Sequence, residues 1–354
     1  MTQVLMKGNE ALAEAAVRAG CHHYFGYPIT PQNEISQYLA WRLPQVGGTF
    51  IQAESEVAAI NMVFGAAGAG ARVLTSSSGP GISLKQEGIS YLAGAELPCV
   101  IVNIQRGGPG LGGIQAGQAD YFQAVKGGGH GDYRLLVLAP ATIQEMVDLT
   151  IKAFDLADKY RNPVMILGDG ILGQMMEPVE FPEDKGPLSF PEKPWATTGA
   201  KGREPNVIDS LYFDVDVLEN HNIHLQAKYE QMTRTETLSE AYLTEDAELV
   251  LVGYGSSARI AKAVVDQART LGIKAGLFRP ITLYPFPKKE LQIACEMAKN
   301  VLTVEMSMGQ LVEDVRYNLE FKVPVHLYGR SGGNVPTVSA VLEKIKTIIG
   351  EGQP

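Results

Sequence analysis

Strand-like and helix-like segments alternate along the first half of this chain with a regularity that few folds accommodate. "MKGNEALAEAAVRAG" has the periodicity of an amphipathic helix closed by Gly20, and "HHYFGYP" that of a strand running into a proline loop. "PQNEISQYLAWRL" is a helix, "GTFIQAE" a strand and "EVAAINMVFGAAGAGA" a helix rich in small residues. "RVLTSSS", the turn "GPG" and "SLKQEGISYLAGAE" repeat the unit. "PCVIVNIQR" is apolar without alternation, as expected of a parallel strand covered on both faces. "ATIQEMVDLTIKAFDLADKY" and "PVMILGD" complete the series. Such β-α-β-α order predicts an α/β fold, a doubly wound parallel sheet with helices on both faces.

The rhythm breaks after about residue 180. "EPVEFPEDKGPLSFPEKPW" and "GAKGREPN" are rich in proline and charge, and residues 181–240 read as an extended linker. Alternation resumes in "ELVLVGYGSSARIAKAVVDQARTLG", "KAGLFRPITLYPFP", "NVLTVEMS" and "VPVHLYGR". Residues 241–354 therefore read as a second, smaller α/β domain, with the first spanning residues 1–180.

Charge and cysteine content exclude several roles. A net charge of −9 argues against nucleic acid, which would require basic patches. No apolar run approaches the length of a membrane span, and the N-terminus lacks the pattern of a secretory signal. Cys21, Cys99 and Cys295 are far apart, without any CxxC. A cytoplasmic location without disulfides is expected, and the chain has too few thiols to hold an iron–sulfur cluster alone.

Several stretches carry candidate chemistry. In "YPITP", Pro28 and Pro31 fix the backbone around Ile29 and Thr30 and display the Thr30 hydroxyl on a stiff loop. Glu56 stands at the start of a helix of small residues, where a carboxylate also suits the helix dipole; Glu54 is its competitor. "TSSSGPG", containing Gly79, joins a strand to a helix but matches neither P-loop nor GxGxxG spacing. Arg106, in "QRGGPGLGG", lies past the end of a central strand on a loop expected to leave it exposed, and Arg suits planar carboxylates. "ILGDGILG" reads as a strand-ending turn and the His22–His23 pair as strand packing; "GYGSSAR" resembles half a nucleotide loop but lacks the third glycine and reads as structural. His130, among glycines, is open to either a structural or a ligand-binding reading.

In combination, "YPITP", "ESEVAAINMVFGAAGAGAR", "TSSSGPG" and "QRGGPGLGG" resemble the α-type subunit of the 2-oxoacid:ferredoxin oxidoreductases over about residues 5–345. "QADYFQAVKGGGHGDYRLLVLAP" is similar to the branched-chain members, which act on 2-oxoisovalerate (3-methyl-2-oxobutanoate). The resemblance implies a first domain that binds the pyrimidine of thiamine diphosphate and a second like the C-terminal domain of transketolase. It implies a partner β subunit that holds the diphosphate and Mg²⁺, which accounts for a GDG with no companion asparagine downstream. It also implies γ and ferredoxin-like δ subunits, [4Fe-4S] clusters on the partners, no metal on this chain, and coenzyme A as co-substrate. The site residues carried over are Glu56 toward the pyrimidine, Pro28, Ile29 and Gly79 around the cofactor, and Thr30 and Arg106 toward the substrate carboxylate. The activity implied is oxidative decarboxylation of a 2-oxoacid to acyl-CoA, CO₂ and reduced ferredoxin.

The alternatives are a pyruvate- or 2-oxoglutarate-specific member, the β subunit of a lipoamide-linked 2-oxoacid dehydrogenase, and a non-catalytic assembly subunit. "YPITP" and "QRGGP" argue against the lipoamide-linked enzyme, and the absence of GxGxxG argues against a dinucleotide-binding dehydrogenase.

Overall fold

A computed structural model describes residues 3–183, 190 and 192–351. The first half runs β1 (Val4–Lys7), α1 (Gly8–Arg18), β2 (His23–Gly26), α2 (Asn33–Arg42), β3 (Thr49–Gln52), α3 (Glu56–Gly68), β4 (Val73–Ser77) and α4 (Pro80–Gly94). It continues through β5 (Cys99–Gln105), α5 (Tyr121–Val125), β6 (Leu136–Leu138), α6 (Ile143–Tyr160), β7 (Pro163–Asp169), α7 (Gly170–Gln174) and β8 (Met176–Val179). After α8 (Val215–Thr235) come β9 (Ser239–Tyr242), β10 (Leu249–Val252), α9 (Gly255–Thr270), β11 (Ala275–Pro280), β12 (Thr282–Tyr284) and α10 (Lys288–Ala294). The chain closes with β13 (Asn300–Glu305), α11 (Leu311–Asn318), β14 (Val325–Gly329) and α12 (Val338–Glu351).

Seven strands form the first sheet in the order β12-β6-β7-β5-β4-β2-β3, parallel throughout except for β12 at its edge. The second sheet, β14-β13-β10-β11-β9, is parallel except for β9. Every residue of β4, β5 and β7 is buried, as the continuous apolar run of β5 predicts. The chain moves from β2 outward to β3 and then returns to place β4 on the other side of β2. This reversal leaves a crevice at the carboxyl ends of β2 and β4, where open α/β sheets receive their ligands.

The segment read as an extended linker contains a 21-residue helix, α8, which corrects that reading for its second half. Asp214 caps its N-terminus, accepting from the amides of Asp216 (2.9 Å) and Val217 (3.3 Å). Leu225, Tyr229 and Met232, at helical spacing, are buried in the apolar cluster beneath α1 and α6. The proline-rich count masked this short stripe. Residues 184–189 and 191 of the same segment lie outside the described residues.

The two α/β regions share a core. One apolar cluster runs from Ile60 and Val63 of α3 through Ile101 and Val137 to Val250, Phe278 and Val301 of the second sheet. Asp169, at the end of the GDG strand, caps α7 and also accepts from Ser256 Oγ (2.7 Å) and the Ser256 amide (3.1 Å) of α9. "GDG" and "GYGSSAR" are thus the two halves of one bolt between the regions. Arg279 adds a second, donating to both oxygens of Glu145 (2.6 and 2.7 Å) and to Glu240 (2.9 Å).

Helices α3 and α4 cross where a Cβ on Gly88 would lie 2.5 Å from Ile60 Cγ2. Ile60→Ala alone is expected to lower stability by about 2–5 kcal/mol, and Gly88→Ala alone by about 1–3 kcal/mol through overpacking. The double variant should lose less than the sum, because the new methyl enters the space Ile60 vacates. Urea denaturation of the four proteins reads this coupling; strictly additive losses would show that the helices do not meet at this point.

Candidate active site

Because β3, β2, β4 and β5 are adjacent and parallel, their carboxyl ends form one edge of the first sheet. The residues singled out from the sequence follow these ends in turn: Glu56 after β3, Thr30 after β2, Gly79 after β4 and Arg106 after β5.

The loop after β2 is fixed by side chains from three directions. The Pro31 carbonyl accepts from Asn9 Nδ2 (2.8 Å) and Gln174 Nε2 (3.0 Å), and Gln32 accepts from Ser76 Oγ. Tyr27 and Pro28 are exposed, while Ile29 and Thr30 are half-buried. Among the described residues, the Thr30 hydroxyl has only a long contact, from Asn33 Nδ2 at 3.5 Å. Two prolines stiffen the loop, as expected, but these hydrogen bonds from α1, β4 and α7 locate it.

Arg106 departs from expectation. The loop after β5 folds back through the Arg106–Ala116 bridge and the Gly107 amide to Gln115 carbonyl bond (2.9 Å). It covers the guanidinium, leaving Arg106 only 7% exposed rather than displayed on an open turn. Nη1 donates to the Thr30 carbonyl (2.9 Å) and Nη2 to the Leu111 carbonyl (3.0 Å), while Nε is buried without a partner. The structure therefore joins Arg106 to Thr30 through the Thr30 backbone. The sequence could not show this, because the glycines that suggest openness are those that allow the loop to close.

The turn after β4 lies between Glu56 and Arg106. Gly79 has φ +48°, and a Cβ there would stand 3.3 Å from Arg106 Nε. A Cβ on Gly81 would fall 2.1 Å from Ser77 Oγ and 2.5 Å from a Glu56 carboxylate oxygen. Only glycine lets the first turn of α4 approach that carboxylate. Glu56 is 6% exposed at the first position of α3, just after Ser55, whose Oγ caps the helix by accepting from the Ala58 amide (3.1 Å). Glu54 points to solvent. Among the described residues, no donor hydrogen-bonds the Glu56 carboxylate. Ser77 and Ser78 are fully buried, and their hydroxyls also lack partners.

Three residues of this edge were not singled out from the sequence. Ser77 and Ser78 were within a turn read as weak. Lys85 is fully buried and donates to Thr75 Oγ1, which in turn donates to the Phe25 carbonyl (2.7 Å). Burial pushes the Lys85 amine down to about 7, against a smaller opposing pull from Glu56. Its signal in the sequence was position: Gly81, Lys85 and Gly88 recur at helical spacing on one face of α4. His130 belongs elsewhere. It lies near Ser90 (3.3 Å) and edge-on to Tyr91, about 15 Å along α4 from the turn at its start.

Polar groups with no partner are rarely buried unless a ligand meets them. Among the described residues, the Glu56 carboxylate and two buried hydroxyls are left without partners around a cradle that side chains at Gly79 and Gly81 would fill. Such a set suits a planar heterocycle with ring nitrogens and an amino group, and the aminopyrimidine of thiamine diphosphate fits it.

The chain is similar to known proteins over most of its length. Residues 14–243 match the family described as pyruvate flavodoxin/ferredoxin oxidoreductase, thiamine diphosphate-binding. Residues 247–341 match the pyruvate:ferredoxin oxidoreductase core domain II. The chain is 54% identical over 351 residues to the ketoisovalerate oxidoreductase subunit VorB of Methanothermobacter marburgensis, covering 99% of each. It is 36% identical to the 2-oxoglutarate synthase subunit KorA of Methanothermobacter thermautotrophicus, covering 97% of this chain and 98% of that one. A solved 2-oxoglutarate:ferredoxin oxidoreductase from Magnetococcus marinus superposes with a TM-score of 0.84 at 26% identity, over 98% of this chain and 65% of that longer one. A split-gene transketolase shares the fold alone, with a TM-score of 0.61 at 15% identity. The chain belongs to the 2-oxoacid:ferredoxin oxidoreductase family, as a subunit that joins a thiamine-diphosphate-binding domain to a core domain II.

Proposed function

We propose that this chain supplies the pyrimidine side of a thiamine diphosphate site in an enzyme that oxidatively decarboxylates 3-methyl-2-oxobutanoate to acyl-CoA, CO₂ and reduced ferredoxin. The observation that carries the reading is the buried Glu56 carboxylate with no donor of its own, facing a glycine turn among unpartnered hydroxyls. When bound, thiamine diphosphate supplies a nucleophilic carbon and an electron sink for the departing carboxyl group. Glu56 holds a proton at a ring nitrogen of the pyrimidine, in a site where desolvation strengthens that bond. Ser77 and Ser78 orient the ring, with Pro28, Ile29 and Gly79 lining the approach.

Arg106 and Thr30 bind the substrate carboxylate. Two N–H groups of Arg106 are engaged by the Thr30 and Leu111 carbonyls. Its remaining N–H groups and the Thr30 hydroxyl are assigned to the anion. The backbone bond between the two residues keeps these donors in one orientation, which reduces the entropy lost on binding.

The choice of 3-methyl-2-oxobutanoate rests on the relatives at 54% and 52% identity, both ketoisovalerate oxidoreductase subunits. A second reading, 2-oxoglutarate, rests on the KorA relatives at 34–39%. Partner subunits complete the enzyme: a β subunit for the diphosphate and Mg²⁺, and γ and ferredoxin-like δ subunits for the [4Fe-4S] clusters. Coenzyme A is the acyl acceptor. A cytoplasmic setting suits the three buried free thiols. Among the described residues no helix is long and apolar enough to cross a membrane.

Three measurements on the co-expressed complex test this. With a viologen dye as electron acceptor, kcat/KM for 3-methyl-2-oxobutanoate should exceed those for pyruvate and 2-oxoglutarate; the reverse order would select the second reading. Glu56→Gln should lower kcat by about 10²- to 10⁴-fold while the complex still assembles on size exclusion. If Glu54→Gln were the damaging change instead, the assignment of the carboxylate would be wrong.

Arg106→Lys should raise KM for the 2-oxoacid by about 10- to 150-fold, the worth of a charge-assisted hydrogen bond. Thr30→Val leaves the carbonyl that Arg106 binds and removes only the hydroxyl. Its KM should rise by about 2- to 12-fold. Wild-type KM and kcat in Arg106→Lys would remove Arg106 from the substrate site.

A further inference from the structure

Among the described residues, Lys85 is the buried charge-bearing side chain at this edge to which the mechanism assigns no role. Fully buried lysines are rare, because the ammonium loses its hydration. This one is specific in its placement. Gly81, Lys85 and Gly88 share the face of α4 that packs on α3, with Gly81 against Glu56 and Gly88 against Ile60. Lys85 lies between them, one turn beyond the glycine that admits the carboxylate. Among the described residues, its one hydrogen bond is to Thr75 Oγ1. Among the described residues, the titratable groups acting on it are Glu56 from α3 and Cys99 at the start of β5. Burial pushes the Cys99 thiol up, so it stays neutral, leaving Glu56 as the charge that Lys85 faces.

We propose that Lys85 is a positioning residue for Glu56, a buried counter-charge on the face of α4 against which this carboxylate packs. The inference rests on the role given to Glu56 above. A buried cation and a carboxylate on facing helices attract each other, and the attraction is little screened away from bulk water. Lys85 provides that cation from beneath, on the side of Glu56 that packs on α4. Its position leaves the carboxylate oxygens without a direct ion pair, so they remain available to a ligand. Burial holds the amine near neutrality, so its support of Glu56 is strongest below about pH 7 and fades as the amine loses its proton above that.

Two arms test this, and only the second needs a working enzyme. The full chain labelled with ¹³C at lysine Cε gives one resonance that disappears in Lys85→Met. In the wild-type chain that resonance should titrate near pH 7, far below the other lysines. Glu56→Gln removes the attracting charge and should move the midpoint down by about one pH unit. A midpoint near 10, or one unmoved by Glu56→Gln, overturns the pairing whether or not the complex is active.

In the assembled complex, wild-type kcat should fall as pH rises through about 7, where Lys85 loses its proton, and Lys85→Met should abolish that limb and lower kcat at pH 6 by about 10-fold. KM for the 2-oxoacid should change less than about twofold, since the substrate carboxylate is held by Arg106. Lys85→Arg keeps the cation throughout and should hold kcat near the wild-type value at pH 6 while removing the fall above pH 7. A limb unmoved in Lys85→Met, or KM and kcat changing together in both variants, would mean that Lys85 only fills space. If no 2-oxoacid is turned over, the functional reading falls, and the resonance still decides whether Lys85 and Glu56 are coupled.

Discussion

A hydroxyl in a dry strand must find a partner, and the layout of this site follows from how strand β4 meets that demand. All of Val73–Ser77 is buried, and Thr75, Ser76 and Ser77 alternate across the sheet. Thr75 is satisfied by the Phe25 carbonyl of β2 and by Lys85 of α4. Ser76, on the other face, is satisfied by Tyr24 (2.8 Å) and by Gln32 of the proline loop. These bonds fix the loop after β2 and the helix after β4 to the same strand. Ser77, followed by Ser78, is where the demand goes unmet. An unmet buried hydroxyl costs about 1–3 kcal/mol, and here two follow in succession.

Arg106 extends the same logic to the next strand. It could have been a free cation at a strand end, yet two carbonyls engage it. This restricts both the proline loop and the loop at Leu111. A guanidinium fixed in this way loses little freedom on meeting an anion, whereas a lysine would have to be ordered at that moment. The cost is that one N–H stays buried without a partner among the described residues.

The second α/β region stiffens this edge from behind. Gln118 connects the two: its amide nitrogen donates to the Tyr254 carbonyl (2.9 Å), and its oxygen accepts from Ser257 Oγ (2.6 Å) and the Met306 amide (3.1 Å). Tyr121, buried on α5, reaches Asp314 of α11 (2.7 Å). These contacts hold residues 116–121, which follow the Arg106 loop. With Asp169–Ser256 and Arg279–Glu145, they form a hydrogen-bonded seam over a shared apolar core. Such a seam resists relative motion of the two regions.

The sequence by itself determined the class of fold. Period-2 and period-3.6 patterns are local, and their alternation permits few arrangements other than parallel sheets with crossover helices. The same local chemistry identified Glu56 at a helix start, the stiff loop at Thr30 and the turn at Gly79. Tertiary structure decided the rest. The order β3-β2-β4-β5 depends on which strand returns beside which, a non-local matter, and it alone makes neighbours of residues 30, 56, 79 and 106. The burial of Arg106 depends on a loop closing over it. The meaning of Asp169 depends on Ser256, which lies far along the chain. Lys85 reads as an ordinary helix residue until α4 packs on α3 and removes its water. A side chain's type is written in the sequence, but its solvation and its neighbours are set by packing, and these decide what its charge can do.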